Sequence, residues 1–171
     1  MTSLLKPLLL IVLCLIMNAC VTEHTPLPAE SDIVHIGDGV PTFSVVLHDG
    51  STVSSQSLQG TPTVLTFFHT TCSDCQRELP MLQSLYETYA PSGVRFVCIA
   101  RAEDDDAITT YWRENGLTLP FAAQADRSIY EKFAKAYIPR VYVISKAGII
   151  TAMFTETIDK DALCSAIAQT L

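Results

Sequence analysis

The chain has 171 residues, a formal net charge of −7 and 49% hydrophobic residues. That length supports one domain with a full core and leaves too little for a comfortable second one. The acidic balance argues against nucleic acid as a partner and against docking to an anionic membrane through a basic patch.

The N-terminus carries Lys6, then an apolar run from Leu8 to Met17, then 17-MNAC-20. The run is too short to span a bilayer, which takes about 20 residues, and fits the hydrophobic stretch of a secretory signal. Cys20 follows the small Ala19, an arrangement similar to the lipobox of bacterial lipoproteins, although Met17 stands where Leu is usual. Residues 1–20 are therefore expected to be a signal peptide with a lipobox. Cys20 would be the acylated first residue of the mature chain, tethering it to the membrane outside the cytoplasm. The competing reading is ordinary cleavage after Ala19. Residues 21–40 mix Pro, Thr, Glu and Asp without periodicity and are expected to form a linker. The folded domain is then expected to cover 41–171.

Within the domain, Phe43–Leu47 and Thr52–Val53 predict a hairpin around Asp49-Gly50. Thr63–Phe68 is apolar on both faces, as a central strand is. Residues 73–89 have helical spacing, with Leu79, Leu82, Leu85, Tyr86 and Tyr89 on one side. Val94–Ala100 predicts a second buried strand. Residues 103–106, EDDD, predict the capped start of a helix that Gly116 stops. A short element is expected near Leu119–Ala122 and a helix over Ser128–Ala136. Two strands follow, at Val141–Ile144 and Ile149–Phe154. Asp159 would cap a last helix with Ala162, Leu163, Ala166 and Ile167 inward. The order predicts an α/β domain with a central mixed sheet, helices on both faces and an N-terminal hairpin.

Chemistry concentrates at 72-CSDC-75, where the central strand gives way to a helix. A helix start favours thiolate, the nucleophile of disulfide exchange. Cys72 at the junction would attack, and Cys75, one turn on and further in, would resolve the mixed disulfide. A static disulfide, half of a zinc site and chance are the competing readings. Zinc would want two more Cys or His ligands, and the four His are scattered. Cys98 and Cys164 are expected to pack as small hydrophobes.

Residues 41–171 resemble the thioredoxin-like proteins, most closely the membrane-tethered TlpA/ResA branch of extracytoplasmic thiol–disulfide oxidoreductases. Carrying the resemblance are the CxxC after a buried strand, Pro80 five residues after Cys75, Ile138-Pro139 before a strand, Glu78 three after Cys75, and the Phe43–Val53 hairpin. It implies a thioredoxin-like fold, catalytic Cys72 and Cys75, and an acidic Glu78 that helps move a proton. It also implies a cis-proline at Pro139 that, with Ile138, binds the substrate backbone. Implied partners are exported proteins with disulfides, apocytochrome c maturation being one task and general disulfide reduction the other. Electrons would come from an upstream membrane donor. The site would lie in the bacterial cell envelope on the periplasmic face, in a monomer that needs no cofactor or metal.

The chain departs from this pattern at Thr71, at Phe68, at Arg140 after the proline, and at Thr66, where thioredoxin has a buried Asp. Arg140 is expected either to steer an acidic partner or to be a solvated charge. Asp74 and Glu78 beside the thiols disfavour thiolate and so predict a reductant. Two other functions compete. A peroxiredoxin-like peroxide reductase would want Pro and Thr where Leu65 and His69 stand. A non-catalytic binding module, of copper for instance, would want wider Cys spacing.

Overall fold

The computed structural model describes residues 28–171. The lipobox, Cys20 included, lies outside the described residues. The predicted hairpin forms as β1 (Ser44–Val46) and β2 (Thr52–Ser54), antiparallel about a turn in which Gly50 takes a φ of 83°. A left-handed residue is cheap only for glycine, which explains the Asp-Gly pair there. The hairpin turn is fixed to the domain by His48, whose N–H donates to Phe121 O at 2.8 Å and whose ring stacks on that of Phe121.

The main sheet contains β3 (Thr63–Phe68), β4 (Arg95–Ala100), β5 (Phe121–Ala122), β6 (Arg140–Ile144) and β7 (Ile150–Thr155), in the spatial order β5-β4-β3-β6-β7. β3, β4 and β5 run parallel, and β6 and β7 are antiparallel to their neighbours. β3 is central and buried at every residue, because both of its faces are covered. On one face α1 (Ser73–Tyr89) brings Tyr86 onto Phe96, and α2 (Asp105–Glu114) brings Trp112 onto Phe68. On the other, Phe67 meets Tyr130, Phe133 and Tyr142. α3 (Lys160–Ala168) is capped by Asp159, which accepts from the N–H groups of Asp161 and Ala162. It buries Leu163 and Ile167; Ala162, expected on the inner face, is exposed.

Three expectations are corrected. The helix expected over Ser128–Ala136 is a single 3-10 turn, Tyr130–Lys132. Its C-terminal half cannot continue as helix because its backbone is engaged elsewhere. Phe133 O accepts from the N–H groups of Ile33 and Val34, and Lys135 N–H donates to Ser31 O.

The same bonds overturn the linker over residues 31–40. This strap packs on the domain: Val34 is buried, Gly37 N–H donates to Ile150 O, and Val40 N–H donates to Gly148 O. Its polar composition concealed one feature. Ser31 and Asp32 both accept from the guanidinium of Arg140, and Arg140 Nε donates to Ala136 O at 3.0 Å.

Arg140 is the third correction. It is 1% exposed, so it is neither a solvated charge nor a steering group. Arginine's planar fork suits this role, since it satisfies several acceptors at once.

Candidate active site

Cys72 is the N-cap of α1, and its carbonyl accepts from Gln76 N–H at 2.9 Å, the first turn of the helix. Both cysteines are thiols. Cys72 is half-buried and Cys75 is wholly buried, so an incoming disulfide meets Cys72 first. The Ile138-Pro139 peptide is cis, and Cys72 Sγ donates to Ile138 O at 3.5 Å. The structure thus brings together four of the residues predicted from sequence: Cys72, Cys75, Ile138 and Pro139. The proline loop is held from behind. Tyr137 has a φ of 69°, and its carbonyl accepts from Tyr130 OH at 2.8 Å. The guanidinium groups of Arg101 and Arg127 lie 5.3 and 5.4 Å from the centre of the Tyr130 ring.

Burial pushes the Cys75 thiol well above its ordinary range, because a thiolate there loses its water. The His69 backbone and the charge of Arg101 act in the opposite sense, and the neighbouring Cys72 adds to the rise. The balance favours the thiol over the thiolate at Cys75.

Glu78 is buried, and its carboxylate accepts from Arg77 Nε at 3.0 Å. Arg77 also binds Asp74 at 2.6 Å and Glu156 O at 3.2 Å. One guanidinium thus offsets both acids that the sequence places beside the thiols.

Sequence reasoning missed Glu103. The acidic run suggests that Glu103 is a helix-capping acid, but the cap is Asp104, which accepts from Ala107 N–H. Glu103 is 7% exposed and turned inward: Thr70 N–H donates to its Oε2 at 2.9 Å, and the Thr70 hydroxyl donates to Oε1. His69 Nδ1 lies 3.5 Å from Oε1. The signal was available, since in an acidic run only one residue can be the N-cap and the one before it is free to turn inward.

Thr66, where a buried acid would stand in thioredoxin, pairs across the sheet with Cys98. Burial pushes the Cys98 thiol from 9.0 up to about 12, and the Thr66 side chain partly offsets this. Above about pH 9 the unfolded chain releases this proton and the folded chain keeps it. Stability present below pH 9 is therefore lost as pH rises towards 12, by at most about 1.4 kcal/mol per pH unit. Urea titrations of wild type and Cys98→Ala between pH 8 and 10.5 should show a shallower alkaline decline in the variant. Equal slopes would contradict the assignment.

No group of three or more metal-ligating side chains occurs among the described residues. No helix among them is long and apolar enough to cross a membrane.

Comparison with known proteins agrees with this geometry. Residues 35–169 match the Redoxin family model. The chain is 26% identical over 140 residues to the thiol-disulfide oxidoreductase ResA of Bacillus thuringiensis (strain Al Hakam), covering 81% of each chain. It is 22% identical over 153 residues to ResA of Bacillus subtilis (strain 168), covering 90% of this chain and 86% of that one. Among solved structures, a thiol:disulfide interchange protein of the thioredoxin family from Chlorobium tepidum TLS superposes with a TM-score of 0.68 at 25% identity, covering 80% of this chain and 98% of that one. The fold is thioredoxin-like, and the chain belongs to the Redoxin family.

Proposed function

We propose that the chain is an extracytoplasmic thiol–disulfide oxidoreductase that reduces disulfides in exported proteins through Cys72 and Cys75. The observation that carries this is the half-buried Cys72 at the start of α1, facing the carbonyl of Ile138 beside cis-Pro139, with Cys75 buried behind it. An extended substrate segment lies along the Ile138-Pro139 edge. Cys72 thiolate attacks one sulfur of its disulfide, a mixed disulfide forms, and the other substrate sulfur leaves as thiolate and takes a proton. Cys75 then attacks Cys72 Sγ, closing the protein's own disulfide and releasing the second substrate thiol. An upstream dithiol donor restores the pair.

The names of the ResA relatives support disulfide exchange. Burial of Cys75 supports the reducing direction: a dithiol whose thiolate form is poorly stabilised gives up its electrons readily. Arg77 engages both Asp74 and Glu78 and so offsets their charge beside the thiols. Glu78 remains the proton-handling group by resemblance. A lipid on Cys20 and the tether that follows would hold the domain at the membrane.

Equilibration in thiol buffers tests the direction. A potential near thioredoxin's, about −270 mV, is expected, and one near −120 mV would make the protein an oxidant. A pair that never cycles would favour a binding module.

A further inference from the structure

We propose that Arg77 is a positioning residue for substrate binding: it clamps the start of α1 to the proline loop and so sets the gap between Cys72 and the Ile138-Pro139 edge. The two walls of that gap come from distant parts of the chain. Cys72 caps α1, and Pro139 precedes β6. Cys72 Sγ joins the walls by donating to Ile138 O at 3.5 Å. That bond is given up when the sulfur attacks, since a thiolate has no proton to donate.

Arg77 supplies a link that leaves the sulfur free, and it uses all three guanidinium nitrogens. Nη1 donates to Asp74 at 2.6 Å, Nε to Glu78 at 3.0 Å, and Nη2 to Glu156 O at 3.2 Å. The first two acceptors lie on α1, so they fix the guanidinium relative to the helix that begins at Cys72. The third lies just past the end of β7. Glu156 N–H in turn donates to Pro139 O at 2.9 Å. That bond extends the β6–β7 ladder, in which Arg140 pairs with Thr155. One residue thus receives Arg77 through its carbonyl and holds Pro139 through its N–H.

Glu156 takes a φ of 63°. A non-glycine residue stays in that conformation only where its surroundings hold it, and these two backbone bonds are such a hold. A planar fork serves three acceptors in fixed directions, which the single ammonium of lysine does not. The Arg77 side chain is 52% exposed, so its ion pairs add little to stability. Their consequence is geometric: an extended segment must meet the proline edge and Cys72 at once.

The inference rests on Cys72 and Cys75 exchanging disulfides, and the test separates the two. Reduced full-length protein is mixed with excess hydroxyethyl disulfide or with a short peptide holding one internal disulfide. Acid-quenched samples are mapped by mass spectrometry for the Cys72–Cys75 disulfide, so other thiols do not enter the reading. The small disulfide needs only the thiols, whereas the peptide also needs the edge. Arg77→Lys keeps the positive charge beside Asp74 and Glu78 but loses the fork. It is expected to raise the half-saturating peptide concentration about fivefold, with the maximal rate and the rate on hydroxyethyl disulfide within about twofold of wild type. Arg77→Met, which removes the charge as well, is expected to raise half-saturation by at least as much.

Unchanged half-saturation in Arg77→Lys overturns the clamp, and if Arg77→Met alone raises it, Arg77 acts through its charge and does not join the walls. Equal slowing on both substrates also overturns it. A wild type that reacts with the peptide no better than with hydroxyethyl disulfide has no edge to position; the inference then fails while the exchange reaction stands. A wild type in which neither substrate closes the Cys72–Cys75 disulfide overturns the exchange reaction and the inference with it.

Discussion

Cys75→Ala protein is expected to accumulate as a mixed disulfide with its substrates while multiple turnover falls about a thousandfold or more, some 4 kcal/mol in the barrier. The reason is the difference in access. Cys72 is half-buried at the helix start and reachable, whereas Cys75 is 0% exposed behind it. Removing Cys75 leaves the attack on substrate intact and takes away the thiol that would break the resulting bond. Cys72→Ala should be equally inactive but should trap nothing, because a thiol so buried cannot reach a protein disulfide. Non-reducing gels and mass spectrometry of the adduct separate the two variants. Adducts found with Cys72→Ala and not with Cys75→Ala would reverse the assigned order. Cys98 will not confuse the result, since it is 1% exposed within β4.

Much of the fold was readable because period and punctuation agreed. The β-rich run at Thr63–Phe68, the Asp-Gly turn, the acidic helix start at 103–106 and the cap at Asp159 each have a local physical cause, and each element formed there. The cysteine pair was readable for the same reason, as a strand-to-helix junction is a local feature. What escaped was non-local. Nothing in residues 31–40 announces that their backbone will pair with Phe133, Gly148 and Ile150. Nothing beside Pro139 says that Arg140 will be buried against residues more than a hundred positions earlier. A charged residue in a short β-rich run reads as exposed unless its partner is known. The 3-10 turn at Tyr130–Lys132 failed as a helix prediction for a related reason. Its apolar spacing is helical, but the strap claims the backbone groups that a helix would need. Direction of electron flow was the least legible. The charges of Asp74 and Glu78 point to a reductant, but the structure sets Arg77 between them.

The strap makes the second large prediction. Asp32→Ala should destabilise the domain by about 3 kcal/mol and lower its Tm by roughly 10 °C. Arg140 is 1% exposed and Asp32 16%, so the pair is nearly out of water, and removing the carboxylate takes a charged acceptor from a buried guanidinium. Burial of such a pair is weak evidence that the pair itself stabilises, because desolvation offsets much of the attraction; the cost lies in breaking one half. Replacing both, as Asp32→Leu with Arg140→Met, should therefore recover most of the loss. A double-mutant cycle on chemical denaturation would read the coupling directly, and an additive cycle would show that the two side chains act independently. The effect should also reach the site. Arg140 follows cis-Pro139 in sequence and holds Ala136 O at 3.0 Å, while the strap it grips leads back towards the expected tether. Cutting the latch should therefore raise KM for a protein disulfide before it lowers the rate at saturation, since in the proposed function the Ile138-Pro139 edge binds substrate and the thiols carry the chemistry. A variant with full affinity and a reduced maximal rate would show that the latch acts on the cysteines and not on the proline loop.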